Sequence, residues 1–270
     1  MQAFASPACR ATEIAAMREL KLLALEGLPE IAAGDDLAAL LSAALARGGL
    51  QLMDGDVLIV AQKIVSKAEG RRVKLAGVEP SPRARELAAV THKDARLVEC
   101  MLRESRAVLR AKPGVLIVEH RSGCVMAGAG IDQSNVPGAA TDETVLLLPE
   151  DPDASAHRLR AALEAASGAR LGVIINDSFG RAWRNGVTGT AIGVAGVPAL
   201  VDLRGQVDRE GRALQVTQVA AADELAAAAS LLMGQAAESW PAVLARGFPY
   251  ALRESTAREL LRPLAEDLFR

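Results

Sequence analysis

Aromatic side chains and cysteines are both scarce in this chain of 270 residues. Aromatics make up 3% of the sequence, and the cysteines Cys9, Cys100 and Cys124 are few, odd in number and widely separated. So few aromatics argue against binding to single-stranded nucleic acid, because such binding stacks bases on aromatic faces beside a basic groove. The cysteine spacing offers neither a metal-ligand pair nor a disulfide framework, which suits a reducing compartment.

The chain also lacks a basic block and a long apolar run. Its net charge is -2, and acidic and basic residues are interspersed throughout. No segment approaches the roughly 20 continuous apolar residues that cross a bilayer. Charged residues interrupt the N-terminal segment from Arg10 to Glu19, so it does not resemble a signal peptide. We therefore expect a cytoplasmic protein that binds small molecules, with neither nucleic acid nor membrane as a partner.

The hydrophobic pattern favours an α+β fold. Half of the residues are hydrophobic, which is enough for a large core. Short apolar runs predict strands at 20–25, 57–61, 115–118, 124–127, 145–148 and 171–175. Helical spacing with capping residues predicts helices from Asp35 or Asp36 to Gly48, over most of 81–110, from 151 to 168, from Asp223 to Gly234, and from 256 to 268. Strands and helices are intermixed without regular alternation, so we expect mixed sheets in two closely joined subdomains, preceded by a flexible tail at 1–18.

Three polar segments follow predicted strands and could carry chemistry. Residues 62–67 are predicted to form a polar and basic turn, and residues 127–135 a glycine-rich loop that carries Asp132. The third segment, 176–186, is expected to be a loop that places Asp177 and Ser178 at the end of a strand, with Arg181 and Arg184 close behind. Carboxylates in such loops suit a hard divalent cation bound with nucleotide, and the arginines suit a phosphate or a carboxylate.

Each of these segments also has a purely structural interpretation. Asp132 could bond only to its own loop, since Asx turns are common. Lys63 and Lys67 could belong to a solvated face, and the arginines near Asp177 could lie in solvent. The chain has no P-loop, dinucleotide fingerprint or kinase signature. Its histidines, His92, His120 and His157, have no metal-type spacing, and Ser178 has no nucleophile elbow.

Taken in order, five short motifs resemble those of one family, the coenzyme F420-0:L-glutamate ligases, which are the gamma-glutamyl ligases of F420 biosynthesis. The motifs are Gly-Leu-Pro-Glu-Ile at 27–31, Val-Ala-Gln-Lys-Ile-Val-Ser-Lys-Ala-Glu-Gly-Arg at 60–71, Ala-Gly-Ile-Asp-Gln-Ser-Asn at 129–135, Asp-Ser-Phe-Gly-Arg at 177–181 with Trp183-Arg184, and Met-Gly-Gln-Ala at 233–236. Each motif is weak alone, but the ordered set is specific.

The resemblance implies a GTP-dependent ligase that is an intertwined homodimer, with the ligase domain at 19–270 and no C-terminal nitroreductase-like domain. It implies divalent manganese or magnesium, a possible monovalent cation such as potassium, and GTP, L-glutamate and coenzyme F420-0 as substrates. The residues that it assigns to GTP are Leu28, Pro29, Glu30, Ile31, Gln62, Lys63, Lys67, Asn135, Met233, Gly234, Gln235 and Ala236. Those that it assigns to the metal are Asp132, Asp177, Ser178 and Gln235, and Lys67, Asp132 and Asp177 are the expected catalytic residues.

Three departures from the family pattern concern the nucleotide contacts. Gln62-Lys63 stands where many relatives carry Ser-Thr or Ser-Lys, Gly128 replaces a common asparagine, and Ala237-Glu238-Ser239-Trp240 differs from the usual glycine-containing turn. The expected reaction activates the terminal carboxylate of F420-0 as an acyl phosphate, which the amine of glutamate then attacks. Two other functions stay open from the sequence: a non-catalytic nucleotide sensor on the same fold, and a metal-dependent hydrolase that activates water.

Overall fold

A computed structural model describes residues 19–134 and 143–267, so the tail predicted at 1–18 lies outside the described residues. The described strands are β1 Lys21–Ala24, β2 Val57–Ala61, β3 Arg72–Lys74, β4 Ser105–Lys112, β5 Val115–His120, β6 Val125–Ala127, β7 Thr144–Leu146, β8 Gly172–Arg181, β9 Arg184–Ala195, β10 Val201–Asp202, β11 Gln218–Val219 and β12 Ala242–Arg246. The described helices are α1 Leu37–Arg47, α2 Gln62–Ala68, α3 Pro82–Thr91, α4 Ala95–Arg103, α5 Pro152–Ser167 and α6 Ala221–Met233. Helices and strands are intermixed, which confirms the α+β class.

The central element is a five-stranded mixed sheet with the order β1-β12-β2-β8-β9. Strands β2 and β8 are parallel, whereas the other neighbouring pairs are antiparallel. Because successive side chains of a strand point to opposite faces, β2 contributes to two cores. Leu58 and Val60 pack with α1 and α5 on one face, while Val57 and Ile59 pack with α6 on the other. This sheet is therefore covered by helices on both sides.

A third core lies around α3 and α4. Leu87, Val98 and Met101 from these helices pack with Leu116 and Val118 of β5. Two smaller antiparallel sheets, β4-β5-β6 and β3-β7, complete this region. The helices are short: the longest in the described part, α5, has 16 residues. No described helix is both long enough and apolar enough to cross a bilayer.

Several predicted boundaries are confirmed. The Asp36 carboxylate accepts a hydrogen bond from the backbone N–H of Ala39 and caps α1. Asp151 caps α5 in the same way, and Gly168 ends that helix with a positive φ of 75°. A glycine suits this position because a side chain would strain the left-handed backbone.

Cys100 and Cys124 are free thiols.

Four predictions about secondary structure are wrong. Residues 62–67 form helix α2 instead of a turn, because no glycine or proline interrupts the chain between β2 and Gly70. The end of the predicted helical region, 105–110, belongs to strand β4. The predicted C-terminal helix is replaced by short 3-10 turns at 257–260 and 264–266, with Pro263, which has no backbone N–H, between them. Helix α6 begins at Ala221, and Asp223 accepts a hydrogen bond from the backbone N–H of Ala191 instead of capping the helix.

A fifth correction concerns the segment 176–186. Strand β8 does not end at Ile175 but continues to Arg181, and it pairs with β9 through a tight connection at 182–183. Asp177 and Ser178 therefore lie within a strand, opposite Thr190 and Gly189. Backbone pairing on both sides of this connection explains why a polar sequence remains extended there.

The sheet topology gathers distant segments at one edge. Strands β2 and β8 are parallel, and Ala61, the last residue of β2, lies opposite Asn176, directly before Asp177 and Ser178. Strand β12 runs the other way, so Ala242 at its start lies at the same edge. Strand β1 is antiparallel to β12, so its final residue, Ala24, also lies there. The chain segments that leave or enter this edge are 25–31, 62–68, 177–181 and 233–241.

Candidate functional site

A cleft of about 750 Å³ opens at this edge of the sheet. Its walls come from the four segments that the topology brings together, with one residue from the Asp132 loop. The lining residues are Leu28, Pro29, Glu30, Ile31, Ala61, Gln62, Lys63, Ile64, Lys67, Gln133, Asn176, Asp177, Ser178, Met233, Gly234, Gln235, Ala236, Glu238, Ser239, Trp240 and Pro241. A cavity of this volume can hold a ligand of nucleotide size.

Helix α2 places two lysines in the cleft. Lys67 is buried, and its ammonium donates a hydrogen bond to Oε1 of Glu30 at 2.7 Å. Lys63 donates to the hydroxyl of Ser134 at 2.9 Å and lies 3.6 Å from Oδ1 of Asp132. The two lysines are one helical turn apart, so both face the cleft. They give one wall of the cleft a positive charge.

Asp132 lies beside this wall, and its backbone forms an isolated antiparallel bridge with Leu146. Its side-chain Oδ2 accepts a hydrogen bond from Nε2 of Gln62 at 2.7 Å. Burial raises the pKa of the Asp132 carboxyl above its ordinary value, while Lys63 and Gln62 act in the opposite direction. Asp132 itself does not line the cleft, but its neighbours Gln62, Lys63 and Gln133 do.

Asp177 has a different environment. Burial, with a further contribution from the Asp132 carboxylate, raises the pKa of its carboxyl to about 7, against smaller opposing effects of the Ser178 backbone N–H and Lys63. Asp132 is therefore close enough for its charge to act on Asp177, although the two residues lie 45 positions apart in the sequence. A second positive charge would relieve this repulsion.

Ser178 and Gln235 extend the oxygen-rich region. The Ser178 hydroxyl donates to the side-chain oxygen of Gln235 at 2.9 Å, which joins β8 to the segment after α6. Gly234 allows this segment to turn, because its φ of 71° is one that residues with a side chain rarely adopt. The hydroxyl and amide oxygens thus lie next to the acidic pair.

The donor set fits a hard divalent cation. The groups around Asp132 and Asp177 are carboxylate, hydroxyl and amide oxygens, which magnesium and manganese prefer. Within the part of the chain that the structure describes, no cluster of three or more His, Cys, Asp or Glu residues could hold a metal by itself. Two carboxylates with remaining positions left to a phosphate and water are the arrangement typical of nucleotide-bound magnesium.

The structure brings most of the predicted site residues together. All of those at 28–31, 62–63, 177–178 and 233–236 line the cleft, as does Lys67. Asn135, the remaining predicted nucleotide contact, lies outside the described residues. Arg181 and Arg184 lie at the exposed end of the β8–β9 hairpin and do not line the cleft.

Three further polar residues contribute contacts at the site, although they are not among the predicted catalytic, nucleotide or metal residues. Asn176 is buried and donates to the hydroxyl of Ser230 at 2.9 Å, which fixes β8 against α6. Ser66 is buried and donates to the side-chain oxygen of Gln62 at 2.9 Å. Glu238 accepts from the backbone N–H of Ala236 at 2.7 Å and stabilises the last wall of the cleft. A helical interpretation of 62–68 would have revealed Gln62 and Ser66 as neighbours four residues apart.

The chain is similar to one family of known proteins over most of its length. A family model described as F420-0:Gamma-glutamyl ligase matches residues 27–247, which include every described segment of the cleft. The chain is 47% identical to the coenzyme F420:L-glutamate ligase of Methanothermobacter thermautotrophicus, over 93% of this chain and 99% of that protein. Proteins of the same name from Methanopyrus kandleri and Archaeoglobus fulgidus are 45% and 44% identical, over 94% and 93% of this chain and 100% and 96% of their own lengths. The chain therefore belongs to the F420-0:gamma-glutamyl ligase family.

Proposed function

We propose that this chain joins L-glutamate to coenzyme F420-0 through an amide bond, using GTP and a divalent cation. The observation that carries the proposal is the acidic pair Asp132 and Asp177 beside Lys63, at the border of a cleft of nucleotide size. The relatives that match almost the whole chain are named coenzyme F420:L-glutamate ligase, and the substrates proposed here are taken from that name. A further glutamate, linked through its γ-carboxyl group, is an extension of the same reaction.

The shape and charge of the cleft suit a nucleoside triphosphate. Leu28, Pro29 and Trp240 give it an apolar side on which a flat base can pack. Lys63, which lies beside Asp132, and Lys67 both line the cleft from α2, where they can bind phosphate oxygens. Glu30 holds Lys67 in the structure, so binding of a phosphate at Lys67 would compete with this ion pair.

Asp132, Asp177, Ser178 and Gln235 are the residues that would hold the cation. When bound, a divalent cation would neutralise charge on the phosphates and on the phosphoryl group being transferred. The protein supplies the carboxylates in advance, in a partly desolvated position where electrostatic interactions are stronger than in water. Magnesium and manganese both accept this set of oxygen ligands.

The chemistry needs activation because a carboxylate is a poor acyl donor. In the proposed first step, a carboxylate oxygen of F420-0 attacks the γ-phosphorus of GTP, and the bond from that phosphorus to the bridging oxygen of GDP breaks. The neutral amine of glutamate then attacks the carbonyl carbon of the acyl phosphate. The carbon–oxygen bond to phosphate breaks, phosphate leaves, and the amide nitrogen releases its proton to water. Lys67 would offset the negative charge that gathers in both steps.

The direct test incubates the protein with GTP, manganese, glutamate and F420-0, and follows product masses together with GDP. We expect the acceptor to gain mass in steps of one glutamyl residue, with GDP formed in proportion. Omitting glutamate should remove this mass gain.

Two other outcomes would replace the proposal. GTP binding without turnover under any combination of substrates would indicate a nucleotide sensor. Phosphate release that needs no glutamate and leaves the acceptor mass unchanged would indicate a hydrolase.

Lys67→Met serves as a matched variant, because it removes the ammonium while keeping a long side chain. It should lower turnover in the ligase reaction.

A further inference from the structure

Gln62 makes contacts that differ from those of a nucleotide-binding side chain. It is 1% exposed, although it lies at the border of an open cleft. Its Nε2 donates to Oδ2 of Asp132 at 2.7 Å, and its Oε1 accepts from the hydroxyl of Ser66 at 2.9 Å. Both ends of the amide are therefore engaged inside the protein.

The orientation of this amide follows from its two partners. An ionised carboxylate can only accept hydrogen bonds, so the NH₂ end of Gln62 must face Asp132. The hydroxyl of Ser66 then donates to the oxygen end, and this residue is fully buried. Gln62 and Ser66 lie four residues apart on α2, on one face of the helix, so the helix itself fixes the distance between them.

The second oxygen of Asp132 has a different environment. Oδ1 lies 3.6 Å from the ammonium of Lys63, beyond the length of a normal charge-assisted hydrogen bond. Gln62 thus occupies one carboxylate oxygen and leaves the other directed towards the lysine. A carboxylate held in this way can present a single oxygen to a cation without rotating.

We propose that Gln62, oriented by Ser66, is a positioning residue that fixes the Asp132 carboxylate for cation binding through Oδ1. The inference rests on the proposed function, since it concerns the same cation site. It differs from the role implied by the family resemblance, in which Gln62 contacts GTP. Hydrogen-bonded partners of metal-binding carboxylates control both the orientation and the affinity of the ligand.

The test measures cation binding and nucleotide binding separately. Free Mn²⁺ is titrated by electron paramagnetic resonance with nucleotide-free protein, and GTP binding is measured by calorimetry in EDTA. Gln62→Met keeps the side-chain length but removes both polar ends, and we expect it to weaken Mn²⁺ binding about 10–100-fold. GTP binding in EDTA should stay unchanged, and excess Mn²⁺ should restore turnover.

Two further variants separate positioning from a general loss of structure. Ser66→Ala should weaken Mn²⁺ binding less than Gln62→Met does, and the double variant should be no weaker than Gln62→Met, because Ser66 acts only through Gln62. Gln51→Met makes the same chemical change at an exposed position outside the cleft lining, and it should leave Mn²⁺ affinity unchanged.

Three results would overturn the inference. Weaker GTP binding in EDTA with unchanged Mn²⁺ affinity in Gln62→Met would make Gln62 a nucleotide contact. Additive effects of the two substitutions would remove the proposed link between Ser66 and Gln62. If wild type ligates glutamate and Gln62→Met binds Mn²⁺ as tightly as wild type does, the inference about Gln62 is refuted while the proposed function stands. If wild type binds no Mn²⁺, the proposed cation site is refuted as well.

Discussion

Two carboxylates of this protein, the buried Glu104 and the half-buried Asp177, have opposite surroundings. Glu104 accepts a hydrogen bond from Arg71 at 2.9 Å and lies 3.1 Å from Arg121 and 3.7 Å from Nε2 of His120. Burial alone would raise the pKa of Glu104, but His120 and the two arginines outweigh it and hold the pKa below its ordinary value. Burial and the Asp132 carboxylate instead raise the pKa of Asp177 to about 7.

The difference in surroundings distinguishes a carboxylate that stabilises the fold from one that is suited to bind a ligand. Glu104 is neutralised by groups of its own chain, and it connects α4 to the segments after α2 and β5. Asp177 faces another carboxylate, with only Lys63 as an opposing positive charge among the named causes of its shift. Unfavourable arrangements of this kind are concentrated at functional sites, where a ligand supplies the missing charge. We therefore infer that Glu104 contributes to stability and Asp177 to function.

The largest expected effect comes from removing either charge of the acidic pair. Asp132→Asn and Asp177→Asn should each lower the turnover of the proposed ligase reaction more than about 100-fold, because charge stabilisation worth several kcal/mol is lost. Asp177→Asn should not lower the free energy of unfolding at neutral pH, since it relieves repulsion from the Asp132 carboxylate. Turnover and urea denaturation measure the two quantities. Turnover near the wild-type level in either variant would contradict a functional role of the pair.

The opposite pattern is expected for Glu104→Gln. Removing a buried charge from its hydrogen-bonded cations should lower the free energy of unfolding by about 1.5–3 kcal/mol. Turnover per folded molecule should not change, because Glu104 does not line the cleft. Glu26→Gln, at an exposed position, is the matched control in urea denaturation and should leave stability unchanged. Equal free energies of unfolding for Glu104→Gln and wild type would contradict the inference that Glu104 stabilises the fold.

A smaller effect is expected from pH on the same network. The folded-state pKa of Glu104 is lowered, so its contribution is fully present above the ordinary glutamate pKa of about 4.3 and is lost as the pH falls through the folded value. The charged or titratable groups that face it are Arg71, His120 and Arg121. The stability difference between wild type and Glu104→Gln, measured in urea at several pH values, should therefore shrink below about pH 4. A difference that stays constant down to pH 3 would show that the charge of Glu104 is not its source.

Local patterns predicted much of the fold. The strand at 57–61 and the helix capped by Asp36 follow from apolar spacing and capping chemistry, which act over a few residues. The segments 62–68 and 176–181 were misassigned because their polar side chains suggested turns. Burial of Gln62, Ser66 and Lys67 against the rest of the protein is a tertiary effect that a local pattern does not contain.

The components of the site were predictable, but their contacts were not. Asp132, Asp177 and Lys67 were identified through ordered motifs that resemble a family, and the structure gathers them at one edge of the sheet. Their meeting depends on the parallel pairing of β2 with β8, which joins residues more than 100 positions apart. The roles of these residues in metal and GTP binding stay predictions, as does the homodimer.

The most direct test of the central claim is a titration of nucleotide-free protein with Mn²⁺, followed by electron paramagnetic resonance. If Asp132 and Asp177 form one cation site, wild type should bind Mn²⁺, Asp132→Asn and Asp177→Asn should each lose that binding, and Glu104→Gln should keep it. Retention of wild-type Mn²⁺ affinity by Asp177→Asn would contradict the claim that the two aspartates act on a single cation.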